Sequence, residues 1–290
     1  MRLTDEVRAR TAQIAAAATS VRIVPDRLAA IEVKPVGPPE EEHHLVDAPQ
    51  EDIARYVLCL TTINFGSGWW PTVRKRPGMS GYFTMATGLT ERFRAHGAWT
   101  NAELRALRAD ELAEALGQDP GHELMSLYGE ALRQLGRWLG ERPALSVVRA
   151  AGGSAERLAE SLAAGMSFYA DRGFYKRAQI CGPELQRFGV AEFTDLHRLT
   201  LFADNLVPHV LRIDAALEYS ETLSATVDGE RLLPSGSWER EIRGCAVQAV
   251  EQLAGISGIA PHELDMALWA RGQSPRYKAW PRHRHRTVFY

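Results

Sequence analysis

The segment from His122 to Leu139, HELMSLYGEALRQLGRWL, guides the interpretation of the whole chain. Its leucines return every three to five positions, at Leu124, Leu127, Leu132, Leu135 and Leu139. On a helix of 3.6 residues per turn they lie near one face, and polar residues occupy the other. The same helical period, rather than the alternation typical of strands, recurs along most of the chain. The sequence therefore predicts an all-α fold class, mainly helical with minor β additions.

Further helical segments extend from this stretch in both directions. We predict helices over 4–18, 53–63, 80–96, 144–150, 155–166, 174–188, 196–219, 238–253 and 261–270, with short helices between 100 and 116. Thr4 and Asp5 are expected to cap the first helix. The β-branched run 21–24 predicts a short strand or an extended connection. Residues 34–50 are interpreted as a proline-rich linker, and 224–237 as a short hairpin. No repeat or low-complexity segment divides the chain, and residues 1–290 are interpreted as a single domain.

Composition narrows the class of protein. The 290 residues are 45% hydrophobic and 24% charged, with a formal net charge of −2, which is typical of a globular protein and excludes disorder. That balance argues against coating nucleic acid through bulk positive charge. Three separated cysteines without a CxxC pair fit neither a disulfide framework nor a zinc site. With no apolar run near the roughly 20 residues of a membrane span and no signal-like start, we expect a cytoplasmic protein without membrane contact.

One carboxylate stands out because it lies inside an apolar run. Asp204 occurs within LTLFADNLVP, residues 199–208. Burying a charge requires a compensating partner, so this side chain is expected to be paired, neutralised or hydrogen-bonded. The alternative is a helix N-cap or turn residue, which the neighbouring Asn205 and Pro208 favour.

Two other places combine charged and aromatic side chains. Lys176 and Arg177 follow two aromatic residues in FYKRAQI and would serve as partners of an anion, with Asp204 as one candidate, or would form a solvated basic edge. Asp265 and Trp269 are four residues apart and therefore share a helical face. They would form a pocket wall with an acid and a stacking ring, or a first-turn acid beside a core tryptophan.

The last twenty residues form a basic tail without any acid. Its cations are Arg271, Arg276, Lys278, Arg282, Arg284 and Arg286. Such a cluster suits one or a few phosphates, although basic tails are often disordered. Because the tail ends in Val288-Phe289-Tyr290, we expect it to pack back on the domain. The chain has no Walker loop, no GxGxxG and no GxSxG, so the kinase, dinucleotide and α/β-hydrolase classes lose their usual support.

Taken in order, these and other motifs resemble a known family. The set comprises Thr62-Ile63-Asn64-Phe65, Ser80-Gly81-Tyr82-Phe83, the FYKRAQI string 174–180, Leu201-Phe202-Ala203-Asp204, the EIRGC string 241–245, Leu264-Asp265 with Leu268-Trp269, and His283-Arg284 with Arg286 and Phe289-Tyr290. It is similar to the queuosine salvage proteins, the queuosine 5′-phosphate N-glycosylases, over nearly the whole chain.

This resemblance implies a helical core like that of helical DNA glycosylases, and hydrolysis of the N-glycosidic bond of queuosine 5′-monophosphate. It further implies that queuine base is released for reinsertion into tRNA, and that no metal, no organic cofactor and no stable nucleic-acid complex is used. Asp204 is implied as the catalytic carboxylate, with Lys176 as its nearby catalytic partner. Implied substrate-binding residues are His44, Asn64, Tyr82, Phe202, Asn205, Arg243, Asp265, Trp269, His283 and Arg286. For the phosphate we expect cations among Lys176, Arg177, Arg243 and Arg284–Arg286.

The chemistry accounts for these residue types. Glycosidic cleavage passes through an oxocarbenium-like state that a carboxylate stabilises or traps. Queuine is a 7-deazaguanine, so the ring nitrogen at which purine leaving groups are commonly protonated is absent, and hydrogen bonds along the base edges must stabilise the departing base. The chain departs from the family pattern at Asn205, where many members have an aromatic residue, at His209, and at Gly66-Ser67-Gly68. These changes leave the substrate range open.

Two other functions remain open on the sequence. In a DNA glycosylase or lyase acting on a flipped base, Lys176 would be a Schiff-base nucleophile that borohydride traps on abasic DNA. A non-catalytic tRNA-binding helical protein would bind tRNA with a steep salt dependence and would be indifferent to Asp204→Ala.

Overall fold

Helices make up most of the structure, a computed structural model that describes residues 2–234 and 236–290. The α-helices of these residues are α1 (Leu3–Ala17), α2 (Pro25–Leu28), α3 (Gln50–Thr62), α4 (Gly81–His96), α5 (Asn101–Ala106), α6 (Ala109–Ala115), α7 (Glu123–Leu139), α8 (Ala144–Ala150), α9 (Ala155–Gly165), α10 (Lys176–Arg187), α11 (Leu206–Ile213), α12 (Glu221–Asp228), α13 (Ser237–Ser257), α14 (Pro261–Arg271) and α15 (Pro275–Lys278). Short 3-10 turns occur at Ser167–Tyr169 and Leu196–Arg198. The prediction of a mainly α-helical fold class is confirmed.

The β structure of the described residues is small. Strand β1 (Val21–Ile23) pairs antiparallel with β2 (Leu217–Tyr219), with Val21 opposite Tyr219. An isolated parallel bridge joins Leu232 to Arg284. The short strand predicted at 21–24 is confirmed.

Helix α7 packs as its sequence period predicts. Leu124, Leu132, Leu135 and Leu139 are fully buried, and the helix contacts α3, α5 and α6. Its Gly136 lets α5 approach closely, because a Cβ at that position would lie 2.8 Å from the amide nitrogen of Arg105. Burial of each large apolar side chain on this face contributes about 1.5–3 kcal/mol to folding.

The predicted cap of the first helix is wrong. The helix begins at Leu3, so Thr4 lies inside its first turn. The Thr4 hydroxyl donates a 2.6 Å hydrogen bond to Oε1 of Glu156, a buried residue of α9. Thr4, which was predicted to cap the helix, therefore binds a residue 152 positions away in the chain instead.

The predicted helix over 196–219 is also wrong, because the chain is extended between the 3-10 turn and α11. Side chains from other helices satisfy this backbone, as buried peptide groups require. Gln179 Oε1 accepts from the Thr200 amide at 2.9 Å, and Asp265 Oδ1 accepts from the Phe202 amide at 3.1 Å. The helix starts only at Leu206, and β2 follows it.

The hairpin predicted over 224–237 is wrong, because residues 224–228 belong to helix α12 and Leu232 forms its bridge with Arg284. Ser220 caps this helix by accepting from the Leu223 amide at 3.4 Å. Leu223 and Val227, four residues apart, bury one face of it. Ser235, at the far end of the predicted hairpin, lies outside the described residues.

The C-terminal tail is held against the helices and closes one side of a cavity. The Gly66 amide donates to the Tyr290 carbonyl at 2.9 Å, and the Leu233 amide donates to that of Arg284 at 2.7 Å. Tyr290 is 2% exposed, so the prediction that the tail packs back is confirmed. Of the helices in the described part of the chain, none has the length and apolar character to cross a bilayer.

Candidate active site

A cavity of about 610 Å³ lies among α3, α4, α10, α14, the extended segment before α11 and the C-terminal tail. Volumes of this size are typical of small-molecule sites. Most of the residues predicted for the site line it: His44, Asn64, Tyr82, Lys176, Phe202, Asp204, Asn205, Asp265 and Trp269. Arg243, His283 and Arg286 do not line it.

Asp204 is half-buried at the point where the extended segment turns into α11. Its Oδ1 accepts hydrogen bonds from the amides of Leu206 at 2.7 Å and Val207 at 3.2 Å. These are the first amides of the helix, and the helix N-terminus favours a negative charge. The sequence left two interpretations of Asp204, a helix cap or a functional carboxylate in an apolar environment. Its hydrogen bonds are those of a helix cap, and its side chain also lines the cavity.

Lys176 begins α10 and is buried with its side chain toward the cavity. Its Nζ donates to the carbonyl oxygen of Asn64 at 3.1 Å, and no direct ion pair with Asp204 is found among the described residues. Burial lowers the pKa of Lys176 to about 8, an effect that the charge of Asp204 partly offsets. The expected pairing is thus an electrostatic contact across the cavity rather than a salt bridge.

A second carboxyl group faces the same space from α14. Asp265 is 4% exposed, and its Oδ1 accepts from the Phe202 amide at 3.1 Å. Burial, together with the charge of Asp204, raises the pKa of Asp265 well above its usual range. Two carboxyl groups near one another favour a protonated state of the more buried one. Asp265 is therefore suited to donate a hydrogen bond while Asp204 remains an acceptor.

Aromatic rings close the end of the cavity near α4. Tyr82 packs edge-to-face against Trp269 with ring centroids 5.4 Å apart. His44 Nδ1 donates to the Glu40 carbonyl at 3.0 Å, so its Nε2 accepts from the Tyr82 hydroxyl at 3.1 Å. Burial lowers the pKa of His44 to about 4, which keeps the ring neutral. This part of the cavity offers flat aromatic faces.

One face of α10 carries site residues that the sequence interpretation missed. Ile180, Glu184 and Arg187 follow Lys176 at helical spacing and line the same cavity. Glu184 is mostly buried, and burial raises the pKa of its carboxyl. Counting four and eight residues on from Lys176 would have placed Ile180 and Glu184 on its side of the helix.

Cations line the cavity at the end formed by the tail. They are Lys75, Lys278, Arg282 and Arg284, and none of them has an acidic partner among the described residues. Burial lowers the pKa of Arg282, while the charge of Asp204 opposes that shift, so this arginine lies within electrostatic reach of Asp204. Burial, together with the charge of Arg282, lowers the pKa of Lys75. Ser67 lines the same cavity with a buried hydroxyl oxygen that lacks a partner in this part of the chain.

Arg243, expected at the phosphate, is instead part of a buried ion pair. Its Nη1 donates to Asp171 at 3.2 Å and to Glu239 at 3.1 Å, and its Nε donates to the Ala203 carbonyl at 2.8 Å. The guanidinium also stacks on the Phe174 ring, 3.9 Å from its centroid. With these donors occupied inside the protein, Arg243 supports the segment that carries Asp204 and does not reach the cavity.

The other basic residues of the sequence interpretation also lie elsewhere. Arg177 is buried and donates to the carbonyls of Thr62, Phe168 and Val288, so neither it nor Lys176 forms a solvated edge. His283 is buried with both ring nitrogens unpartnered among the described residues, and burial lowers its pKa to about 3. Its carbonyl accepts from the Asn205 side chain at 3.4 Å. Arg286 is exposed and lies 3.4 Å from Glu123.

Two of the departures from the family pattern have structural explanations. His209 is buried away from the cavity, with Nε2 2.8 Å from the Tyr277 carbonyl. Gly68 lies so close to the tail that a Cβ would be 2.4 Å from the His285 carbonyl oxygen, which only glycine tolerates. The remaining departure, Asn205, lines the cavity beside Asp204.

Comparison with known proteins shows which family the chain resembles. The family model described as queuosine salvage protein matches residues 43–290. A queuosine 5′-phosphate N-glycosylase/hydrolase of Sphaerobacter thermophilus is 31% identical over 288 residues, covering 90% of this chain and 89% of that protein. A protein with the same name from Nematostella vectensis is 27% identical and covers 81% of each chain. One from Mus musculus is 34% identical over 173 residues, covering 50% of this chain and 51% of its own.

Proposed function

The chain belongs to the queuosine salvage protein family, and from this premise we propose that it is a hydrolase that cleaves the N-glycosidic bond of queuosine 5′-phosphate. The products are queuine and ribose 5-phosphate. The observation that carries the proposal is the arrangement of Asp204 and Asp265 in one cavity, with aromatic rings at one end and, at the other, cations that have no acidic partner in the described part of the chain. A nucleotide has the complementary order of phosphate, ribose and base.

Asp204 is proposed to stabilise the ribosyl cation. As the glycosidic bond breaks, its electron pair leaves with the base and positive charge develops on C1′ and the ring oxygen. The amides of Leu206 and Val207 hold Asp204 Oδ1, so the carboxylate is oriented before the substrate binds. A fixed charge of this kind costs no reorganisation during the reaction. Water then attacks C1′ and gives up one proton, and one proton is taken up by the base nitrogen, so that the elements of water are added across the glycosidic bond.

Asp265 is proposed to assist departure of the base. A 7-deazaguanine lacks the N7 acceptor, so charge on the leaving base must be neutralised at another ring atom or at the carbonyl. The raised pKa of Asp265 favours its protonated form, which donates a hydrogen bond to such an acceptor. The neutral His44, Phe202 and Trp269 supply the apolar walls for the ring.

The cavity cations are proposed to bind the 5′-phosphate. Lys75, Arg282 and Arg284 come from two separate parts of the chain and have no acidic partner in the described residues, while the Ser67 hydroxyl is available as a donor. Charge-assisted bonds from such groups to a phosphate are among the stronger hydrogen bonds in proteins. In this proposal these cavity cations take the place of Arg177, Arg243 and Arg286, which the sequence interpretation expected at the phosphate.

We further infer that residues 1–290 act as one domain in the cytoplasm on a free nucleotide, without a stable nucleic-acid complex and without a cofactor. Helix α1 precedes the region matched by the family model, yet it packs on α13 and α9. Arg8 of α1 reaches the carbonyl of Arg198 at 2.9 Å and the carboxylate of Glu251 at 3.0 Å. These contacts support one folding unit.

The proposal is tested by base release from the purified protein without added metal. Queuosine 5′-phosphate, queuosine and GMP are supplied separately, and the free base is measured by mass spectrometry. We expect release from queuosine 5′-phosphate, weaker release from queuosine and none from GMP. Absence of release from all three would contradict the proposed activity.

The alternative of a DNA glycosylase or lyase has one observation in its favour. A lysine whose pKa is lowered to about 8 by burial is a better amine nucleophile than a solvated one. Borohydride added during turnover separates the two functions, because a Schiff base between Lys176 and the sugar would be reduced to a stable adduct. We expect no such adduct with queuosine 5′-phosphate or with abasic DNA.

A further inference from the structure

We propose that Glu184 binds the secondary ammonium group of queuosine and so selects the nucleotide by its amine. This inference rests on the proposed function, because the amine belongs to the proposed substrate. In queuosine a cyclopentenediol is attached to the 7-deazaguanine ring through a secondary amine that is protonated at neutral pH. A cavity that distinguishes this nucleotide from GMP needs a group that recognises that charge.

The position of Glu184 suits this role. It lies eight residues after Lys176 on the cavity face of α10, and its side chain is 13% exposed. Its Oε2 accepts from Arg187 at 3.5 Å, at the limit of a hydrogen bond. Oε1 accepts no hydrogen bond from the described residues. One carboxylate oxygen is therefore available to a ligand in the cavity.

The cations around Glu184 have other partners. Arg187 donates from Nε to the Gly37 carbonyl and from Nη2 to the Pro38 carbonyl, both at 3.2 Å. Lys176 donates to the Asn64 carbonyl. Glu184 forms an ion pair with Arg187 through Oε2, and the charges of Arg187 and Lys176 oppose the rise in its pKa, but burial outweighs them and the pKa is raised. A ligand ammonium in contact with Oε1 would add a second counter-charge to this buried carboxylate.

The order of charges along the cavity gives the substrate its orientation. Arg282 lies within reach of Asp204, and Asp204 within reach of Asp265. Glu184 lies eight residues after Lys176, about 12 Å farther along α10. Its neighbour Arg187 donates to the carbonyls of Gly37 and Pro38, in the segment that leads to His44 at the aromatic end of the cavity. A nucleotide with its phosphate at Arg282 and C1′ at Asp204 therefore extends the substituent of its base toward Glu184.

Besides Asp204, three other carboxylates line the cavity and fit the amine less well: Asp265, Glu40 and Glu230, the last of which is exposed. Asp265 is tied to the Phe202 amide beside Asp204, near the bond that breaks. Glu40 lies at the rim, where its side chain is 63% exposed and water screens its charge. Glu184 combines a buried position with a free oxygen.

The test compares two ligands that differ in the amine-bearing side chain. The KM for queuosine 5′-phosphate and the competitive inhibition constant of 7-deazaguanosine 5′-phosphate are measured for the wild type, Glu184→Gln and Glu40→Gln. Glu184→Gln is expected to raise the KM about 10- to 100-fold, the usual loss for one charge-assisted bond, and to change the inhibition constant less than about twofold. Glu40→Gln, which removes an equal charge at the rim, is expected to change neither by more than about threefold.

Each other outcome has a defined meaning. An unchanged KM in Glu184→Gln, or equal weakening of both ligands, would overturn the role of Glu184, and so would a loss in Glu40→Gln instead. Glu184→Asp retains the charge on a shorter side chain and is expected to fall between the wild type and Glu184→Gln, provided that their thermal midpoints agree. Base release by the wild type with no effect of Glu184→Gln would contradict this inference alone, whereas no release by the wild type would contradict the proposed function.

Discussion

Lys176 and Arg177 are neighbours in the chain, but they lie on different sides of α10 and have different surroundings. Lys176 lines the cavity, with one backbone carbonyl as its hydrogen-bond partner. Arg177 points into the interior, where it donates to three carbonyls and stacks on Phe65 and Tyr169. Both are buried. Both terminal nitrogens of Arg177 have internal partners, although its Nε has none among the described residues. We infer that the cation held by interior carbonyls serves the fold and that the cation facing the cavity serves a ligand.

Two arginines farther along the chain repeat the contrast. Arg243 is saturated by Asp171, Glu239 and the Ala203 carbonyl. Arg282 faces the cavity near Asp204 and has no acidic partner in the described residues. If this contrast is correct, substitutions on the interior side should change stability, and those on the cavity side should change catalysis.

The largest effect is expected on the interior side, from Arg243→Met. Removing the guanidinium leaves Asp171 buried without its partner, which typically costs about 3–5 kcal/mol in the free energy of unfolding. Urea denaturation measures this change. The control is Arg240→Met, one turn away and exposed, for which we expect a change within about 0.5 kcal/mol. Equal stability of the two variants would show that Arg243 does not stabilise the fold.

On the cavity side, Asp204→Asn is expected to lower kcat about 10²- to 10³-fold. The amide oxygen still accepts from Leu206 and Val207, so helix α11 keeps its cap and the thermal midpoint should change little. Base release and thermal unfolding are measured on the same preparation. A variant with normal kcat would show that Asp204 is only a cap.

Arg282→Met is expected to raise the KM for queuosine 5′-phosphate about 10- to 100-fold, because it removes one charge-assisted bond to the phosphate. Inhibition by queuosine, which lacks the phosphate, should be unaffected. Arg286→Met is the matched control from the same tail, since Arg286 lies outside the cavity and pairs with Glu123. A similar loss in both variants would point to long-range charge rather than to a phosphate contact.

The smallest effect concerns pH. Burial lowers the pKa of Lys176 to about 8, so its ammonium is present below that pH and is lost as the pH rises through it. If the charge assists Asp204, kcat/KM should fall above pH 8 by up to about tenfold per unit, since this ratio reports the free enzyme. In Lys176→Met the break near pH 8 should vanish. Its persistence would assign the break to another group.

The sequence predicts well what depends on local pattern. The apolar period of residues 122–139 gave helix α7, and a lone acid in an apolar run drew attention to Asp204. The sequence could not identify hydrogen-bond partners that are distant in the chain. One such partner is Asp171, which lies 72 residues before Arg243 and binds that arginine outside the cavity.

The same limit explains the broken helix before α11. Gln179 and Asp265 satisfy the backbone of Thr200 and Phe202, and neither contact can be inferred from the segment itself. The cavity-lining cations Lys75 and Arg282 are likewise more than 200 positions apart and become neighbours only through the fold. Glu184 is different, because its spacing from Lys176 was visible in the sequence.

The most direct test of the contrast is the free energy of unfolding of Lys176→Met and Arg177→Met, measured in urea. Lys176→Met removes an ammonium that burial disfavours, so the variant should be as stable as the wild type within about 1 kcal/mol, or more stable. Arg177→Met leaves three carbonyls without their donor and should lose about 3 kcal/mol or more. Equal losses in the two variants, or a stable Arg177→Met, would contradict the division of α10 into a ligand side and a structural side.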